Sequence, residues 1–260
     1  MPFCSAGGVN IHYEVSGEGF PLVLIHANPF DRRLWLYQVA HFSTFFKIVN
    51  VDLRGYGYSE KPTSPTSIVE MSEDIVAVCR QEEIREAIVA GISVGGVMAL
   101  QLGLDHPEVF KALILVGCSS GPGGRYQDRI EGYRTGVEKY HIQHLKALVS
   151  QNFSESKLGC YLLSHFADWD RRLNGASIVE IFRALQDRDV TDRLGELKMP
   201  VLIVNGELDN SLPRSRETAQ RIRGALHHVI PGTGHACCLE DPTTFDEVVM
   251  EFLRRHSFIK

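Results

Sequence analysis

A mainly parallel α/β fold is predicted by three observations. Short runs rich in Val, Ile and Leu alternate with segments of helical period. Most of these runs are apolar throughout, as strands buried on both faces require, and the rhythm is broken only once, by a long helical stretch.

Taking the elements in order, Val9 to Ser16 alternates like an edge strand. Buried strands follow at Pro21 to His26, Phe46 to Asp52, Glu86 to Gly91 and Ala112 to Gly117. Two more, Pro200 to Asn205 and His227 to Ile230, come much later. Helices are expected over Val69 to Glu82 and Val94 to Leu104, each suiting a right-handed crossover between parallel strands. Phe245, Val248, Val249 and Phe252 give the last helix, up to His256, one apolar face.

The break comes after Cys118, where Ser119 to Gly124 reads as a turn cluster. From about Arg125 to Asp192 the pattern is helical, too long for an ordinary loop and suited to a functional cover. The expected division is a core of residues 1–120 and 196–260 with a helical cap over 121–195.

Composition narrows the function. The chain has 260 residues, 44% of them hydrophobic, enough for a sizeable core. Its 27 basic and 32 acidic residues give a net charge of -5, which offers no broad positive surface to nucleic acid or an anionic membrane. No signal peptide or membrane-span pattern is evident, so a cytoplasmic location is expected. The six cysteines, Cys4, Cys79, Cys118, Cys160, Cys237 and Cys238, follow no metal or disulfide spacing and are read as reduced.

The chemistry centres on Gly91-Ile92-Ser93-Val94-Gly95-Gly96, which directly follows a strand and opens a helix. In that setting a serine projects from a sharp turn, and small neighbours let strand and helix approach. A serine hydroxyl is a weak nucleophile at neutral pH and needs a base oriented by a carboxylate. The loop after Pro200 to Asn205 supplies Glu207 and Asp209, at the strand end where ligands gather in open α/β sheets. His235, in Pro231-Gly232-Thr233-Gly234-His235 after the last strand, is the candidate base. Backbone N–H groups of Val94, next to Ser93, and of Asn28, after the strand Pro21 to His26, are candidate oxyanion donors. Pro29 has no N–H to offer.

Five segments in order carry a family resemblance: His26-Ala27-Asn28-Pro29, Asp52 to Ser59, Gly91 to Gly96, Gly206 to Asp209, and Gly232 to His235. Over essentially its whole length the chain resembles the α/β-hydrolase superfamily, nearest in pattern to 3-oxoadipate enol-lactonases, small carboxylesterases and cofactor-free haloperoxidases. The resemblance implies a mainly parallel, eight-stranded-type sheet with an inserted helical cap. It also implies a catalytic triad of Ser93, Asp209 rather than Glu207, and His235. The family commonly has His-Gly where this chain has His26-Ala27, and Asp52 is expected to hold a turn and to take no part in chemistry.

The expected reaction is hydrolysis of a small carboxylic ester or lactone through an acyl-enzyme, without metal or organic cofactor. Alternatives are C–C bond hydrolysis of a ring-cleavage product and a non-catalytic binding protein or receptor on a hydrolase shell. Phe30, Tyr126, Tyr133, Phe153, Tyr161, Phe166 and Trp169 are candidates for an apolar pocket. Arg125, Arg129, Arg134, Arg171, Arg172 and Arg183 are candidates for holding a substrate carboxylate.

Overall fold

The computed structural model describes residues 2–122, 126–169, 172–186 and 188–259, except the side chains of Asp168 and Trp169. Gly123 and Gly124 of the expected turn cluster, and the pocket candidates Arg125 and Arg171, therefore lie outside the described residues.

Eight strands form one sheet: β1 (Phe3–Ala6), β2 (Val9–Ser16), β3 (Phe20–Ile25), β4 (Phe46–Val51), β5 (Ala87–Ile92), β6 (Phe110–Val116), β7 (Val201–Gly206) and β8 (Leu226–Ile230). Their spatial order is β1-β2-β4-β3-β5-β6-β7-β8. β2 runs antiparallel to both β1 and β4, and the pairs from β4 through β8 are parallel. The central strands β5 and β7 are buried at every residue, which explains their unbroken apolar sequences.

β1 was not foreseen. Its four residues are too few for a periodicity signal, yet Gly7-Gly8 marks it in retrospect: Ala6 pairs with Val9 across those two glycines, both at positive φ (55° and 86°). That is the two-residue hairpin for which Gly-Gly is suited.

The helices are α1 (Leu36–Phe42), α2 (Ile68–Gln81), α3 (Val94–Asp105), α4 (Tyr126–Thr135), α5 (Val137–Ala147), α6 (Gln151–Glu155), α7 (Lys157–Trp169), α8 (Gly175–Gln186), α9 (Leu212–Arg221), α10 (Cys237–Glu240) and α11 (Pro242–Arg255). α2 begins with a reciprocal capping box between Ser67 and Glu70, so two otherwise unpaired N–H groups are satisfied there. α3 is buried along Val94 to Leu104, because it crosses the middle of the sheet with residues packed on all sides. Apolar clusters fill both faces of the sheet.

Helices α4 to α8 lie in the connection between β6 and β7, forming the helical insertion. The insertion is anchored to the core: Ala236 N–H donates to the carbonyl of Leu148 at 2.8 Å, and Glu240 accepts from Ser150 N–H at 2.9 Å. Among the described residues no helix is long and apolar enough to cross a membrane. All six cysteines are free thiols, and Cys160 is the exposed one.

Candidate active site

Ser93 stands between β5 and α3 with φ 58° and ψ −119°, a conformation that L-residues rarely adopt. The turn is held from both sides. Ser93 N–H donates to the carbonyl of Val116 at 2.8 Å, and Val97 N–H donates to the carbonyl of Ser93 at 2.9 Å. The neighbouring glycines are steric necessities. A Cβ on Gly91 would overlap the Gly95 carbonyl, and one on Gly95 would overlap the carbonyl of Ile25 and lie 2.7 Å from that of His26. The helix can therefore start against β3 and β5 only without those side chains.

Asp209 follows β7 and His235 follows β8, so neighbouring strands deliver the two to one rim. His235 Nδ1 and Asp209 Oδ1 are 2.9 Å apart. Asp209 also accepts from Ser211 N–H (2.8 Å), Ser211 Oγ (2.7 Å) and Asn205 Nδ2 (2.9 Å). Burial alone would raise its pKa, but the imidazole's charge and these hydrogen bonds hold the carboxyl well below the usual range. An ionised carboxylate accepts only, so Nδ1 of His235 carries the proton and Nε2 is left as the basic atom of the neutral ring. For His235, burial favours the neutral form, yet the charge and hydrogen bond of Asp209 win and raise its pKa. Glu207 is exposed and accepts from Gly232 N–H at 2.8 Å, bracing the loop beneath His235.

Ser93, Asp209 and His235 share the wall of a cavity of about 560 Å³ with Asn28 and Val94, a volume suited to a small molecule. Val94 opens α3, so its N–H belongs to the first turn, where the helix ladder supplies no acceptor.

A model of the Alpha/beta hydrolase family matches residues 22–248. The chain belongs to this family. It is 27% identical to a pimeloyl-[acyl-carrier protein] methyl ester esterase of Yersinia enterocolitica, over 94% of this chain and 98% of that protein. Among solved structures, an enol-lactonase from Burkholderia xenovorans LB400 superposes with a TM-score of 0.91 at 24% identity, covering 97% of this chain and 100% of the other. Est816, described as an N-acyl homoserine lactone degrading enzyme, has a TM-score of 0.85 at 28% identity, covering 96% and 100%.

Within this alpha/beta hydrolase the loop after β3 is organised by His26, whose Nε2 accepts from Leu53 N–H at 3.0 Å and whose Nδ1 lies 2.9 Å from the Ala27 carbonyl. Ala27 is fully buried and is not among the residues of positive φ, so its methyl is accommodated in place of glycine. Asp52 sits in a buried network with His12 (2.9 Å), Arg32 (3.0 Å) and Tyr58 N–H (3.1 Å), away from the cavity.

The aromatic candidates divide. Tyr126 lines the cavity and packs against Phe182, a lining residue the sequence reading missed. Phe30 and Phe166 are instead core residues, meeting edge to face with ring centres 5.0 Å apart, and Phe153 packs against the same cluster. As pocket residues these three are corrected: they join α6 and α7 to the core and do not line the cavity. Tyr133 is buried with its hydroxyl 2.8 Å from His144 Nδ1, Tyr161 is exposed, and the Trp169 side chain lies outside the described residues.

Among the cap arginines, Arg129 lines the cavity. Arg134 is exposed, Arg172 lies over the Tyr58 ring at 4.7 Å, and Arg183 pairs with Glu180. Arg188 and Gly117, both on the cavity wall, were missed. Arg188 sits beside Asp189 in a stretch that reads as solvated charge, and Gly117 matters only through the approach of a distant loop.

Proposed function

We propose that the chain is a serine hydrolase that cleaves a small carboxylic ester or lactone through an acyl-enzyme. The observation that carries this reading is the 2.9 Å contact of Asp209 with His235, on the wall of the cavity that also holds the strained Ser93.

In the first half-reaction Ser93 Oγ attacks the carbonyl carbon and gives its proton to His235 Nε2. The oxyanion is stabilised by the N–H groups of Asn28 and Val94. The tetrahedral intermediate collapses as Nε2 protonates the departing alkoxide, leaving Ser93 acylated. Water then attacks the acyl carbon, delivers its proton to Nε2, and Ser93 leaves with that proton as the acid is released. Asp209 fixes the tautomer of His235 and stabilises the imidazolium without taking the proton. Residues 121–195 act as a cap over this chamber, on a core of residues 1–120 and 196–260.

The test is hydrolysis of p-nitrophenyl butyrate and a panel of lactones by the wild type and Ser93→Ala. A fall of a thousandfold or more in kcat/KM is expected for the variant. Equal rates for the two proteins would overturn the assignment.

A further inference from the structure

The cavity wall is unusually cationic for a chain of net charge -5. It carries Arg129, Arg188 and Arg214, while Asp209 is its one acidic residue among the described ones and is already paired with His235. Arg188 is the most informative of the three. It follows α8 where the insertion returns to the core, and it is only 8% exposed. Its Nη1 donates to the carbonyls of Ser120 (3.2 Å) and Ser119 (3.4 Å), with a long contact of 3.5 Å from Nε to Gln101 Oε1.

No carboxylate among the described residues pairs with it. Asp105 is taken by Arg193 and Gln101, and Asp189 is turned to its own loop, accepting from Thr191 N–H. Among the described residues Nη2 of Arg188 is buried without a hydrogen-bond partner. Burial lowers the guanidinium's pKa to about 10, so it stays charged at neutral pH. A buried cation whose hydrogen bonds all go to carbonyl oxygens, with Asp189 and Asp105 acting on it through their charge without pairing, is costly unless an anion completes it.

The position suits a substrate end group. Val97, one turn along α3 from Ser93, lines the cavity, and Gln101, another turn on, touches Arg188. Eight residues of helix put the Gln101 backbone roughly 12 Å along the axis from Ser93, and Ser93 and Arg188 line one cavity, so a ligand held at one faces the other.

We infer that Arg188 is the recognition point for a carboxylate, and that the substrate of this site is an ester or lactone bearing a free carboxylate remote from the scissile bond. Arg129 and Arg214 give the cavity the positive field that draws such an anion in. The inference rests on the proposed hydrolase reading for its catalytic part and on the cavity alone for its binding part.

Two arms separate these. Hydrolysis of monomethyl adipate and of 5-acetoxypentanoate, which carry the carboxylate on the acyl and alkoxy sides, is compared with that of their neutral methyl esters in a pH-stat. The ratio of kcat/KM, anionic over neutral, is expected to fall about 30-fold in Arg188→Met for at least one pair, carried by KM. It should stay as in the wild type in Arg183→Met, a cap arginine away from the cavity. An unchanged ratio for both pairs in Arg188→Met would overturn the inference.

In the second arm, calorimetry measures adipate binding to Ser93→Ala and to Ser93→Ala/Arg188→Met, with circular dichroism confirming that both are folded. Binding lost only in the double variant supports the carboxylate site even if the wild type hydrolyses nothing. Equal binding by the two, or none by Ser93→Ala, overturns it. If Arg188→Met does not fold, Arg188→Lys takes its place. Lysine keeps the charge and loses the planar fork, and a tenfold weaker affinity is the supporting result, undiminished affinity the contrary one.

Discussion

A Cβ placed on Gly117 would lie 2.7 Å from Cε1 and 2.8 Å from Nδ1 of His235, so the end of β6 and the loop after β8 close on each other with no room for a side chain between them. Gly117 also has φ +57°, where an L-residue is strained. Gly117→Ala is expected to lower stability by about 1–2 kcal/mol and to push the imidazole off its hydrogen bond with Asp209. The proposed esterase activity should fall by about 100-fold or more, since small misplacements of a catalytic group are amplified in rate. Urea unfolding and p-nitrophenyl butyrate turnover on the same preparation separate the two effects.

The two loop carboxylates should respond differently. Asp209→Asn is expected to lower kcat by roughly 10³–10⁴-fold, because in the proposed mechanism Asp209 fixes the tautomer and stabilises the imidazolium, which a neutral amide does not do. Glu207→Gln changes an exposed brace that accepts from Gly232 N–H, and a loss of less than about tenfold is expected. Single-turnover measurements with a chromogenic ester check both, and the reverse ranking would exchange the two assignments.

The pH profile follows from the same pair. In the proposed mechanism His235 must be neutral to accept the serine proton, so kcat/KM is expected to rise with pH through its pKa. Burial would lower that pKa, but Asp209 raises it, so the ascending limb lies above the ordinary histidine value. In Asp209→Asn the raising charge is gone while burial remains, and the limb of the residual activity should move to lower pH. Rates across pH 5 to about 9 at constant ionic strength test the direction.

Much of this arrangement could be read from residues in order, for a physical reason. Strand runs, the elbow glycines and the loop positions of Asp209 and His235 are local patterns, and in a parallel sheet each loop after a strand arrives at the same rim. Contacts between segments far apart in sequence carry no such local mark. Gly117 is an unremarkable glycine until His235 is beside it, and Arg188 looks like surface charge until Ser119 and Ser120 enclose it. Phe30 and Phe166 show the converse: aromatic character alone does not tell a cavity wall from the core that supports it.

Asp52 gives a stability prediction independent of catalysis. Burial would raise its pKa, but hydrogen bonding from His12 and the charge of Arg32 lower it to about 2 from its ordinary 3.8. A depressed carboxylate stabilises the fold above its unfolded pKa, and that contribution is lost as pH falls through the folded value. Roughly 2 kcal/mol should therefore disappear between about pH 4 and pH 2. Asp52→Asn is expected to be less stable at neutral pH, with Arg32 and His12 deprived of their anion, and to show a flatter dependence in that window. Urea titrations at several acidic pH values measure the slope, and equal slopes for the two proteins would show that other carboxylates control acid unfolding.

The elbow makes the sharpest steric claim. At Gly95 the obstacle to a methyl group is backbone, the carbonyls of Ile25 and His26, whereas at Gly103, farther along α3, it is the side chain of Leu113, with Cδ1 2.6 Å from the ideal Cβ. A leucine can change rotamer or be shortened, but a central strand cannot withdraw without breaking its ladder to β4 and β5. Gly95→Ala is therefore expected to destabilise by about 3 kcal/mol or more and to resist rescue by any single side-chain change nearby. Gly103→Ala should cost about 1–3 kcal/mol alone, and much of that should be recovered in combination with Leu113→Val. A double-mutant cycle in urea reads this coupling directly. If Gly95→Ala proved as mild as Gly103→Ala, α3 would have to be free to slide away from β3, and Ser93 would lose the fixed turn on which the proposed nucleophile depends.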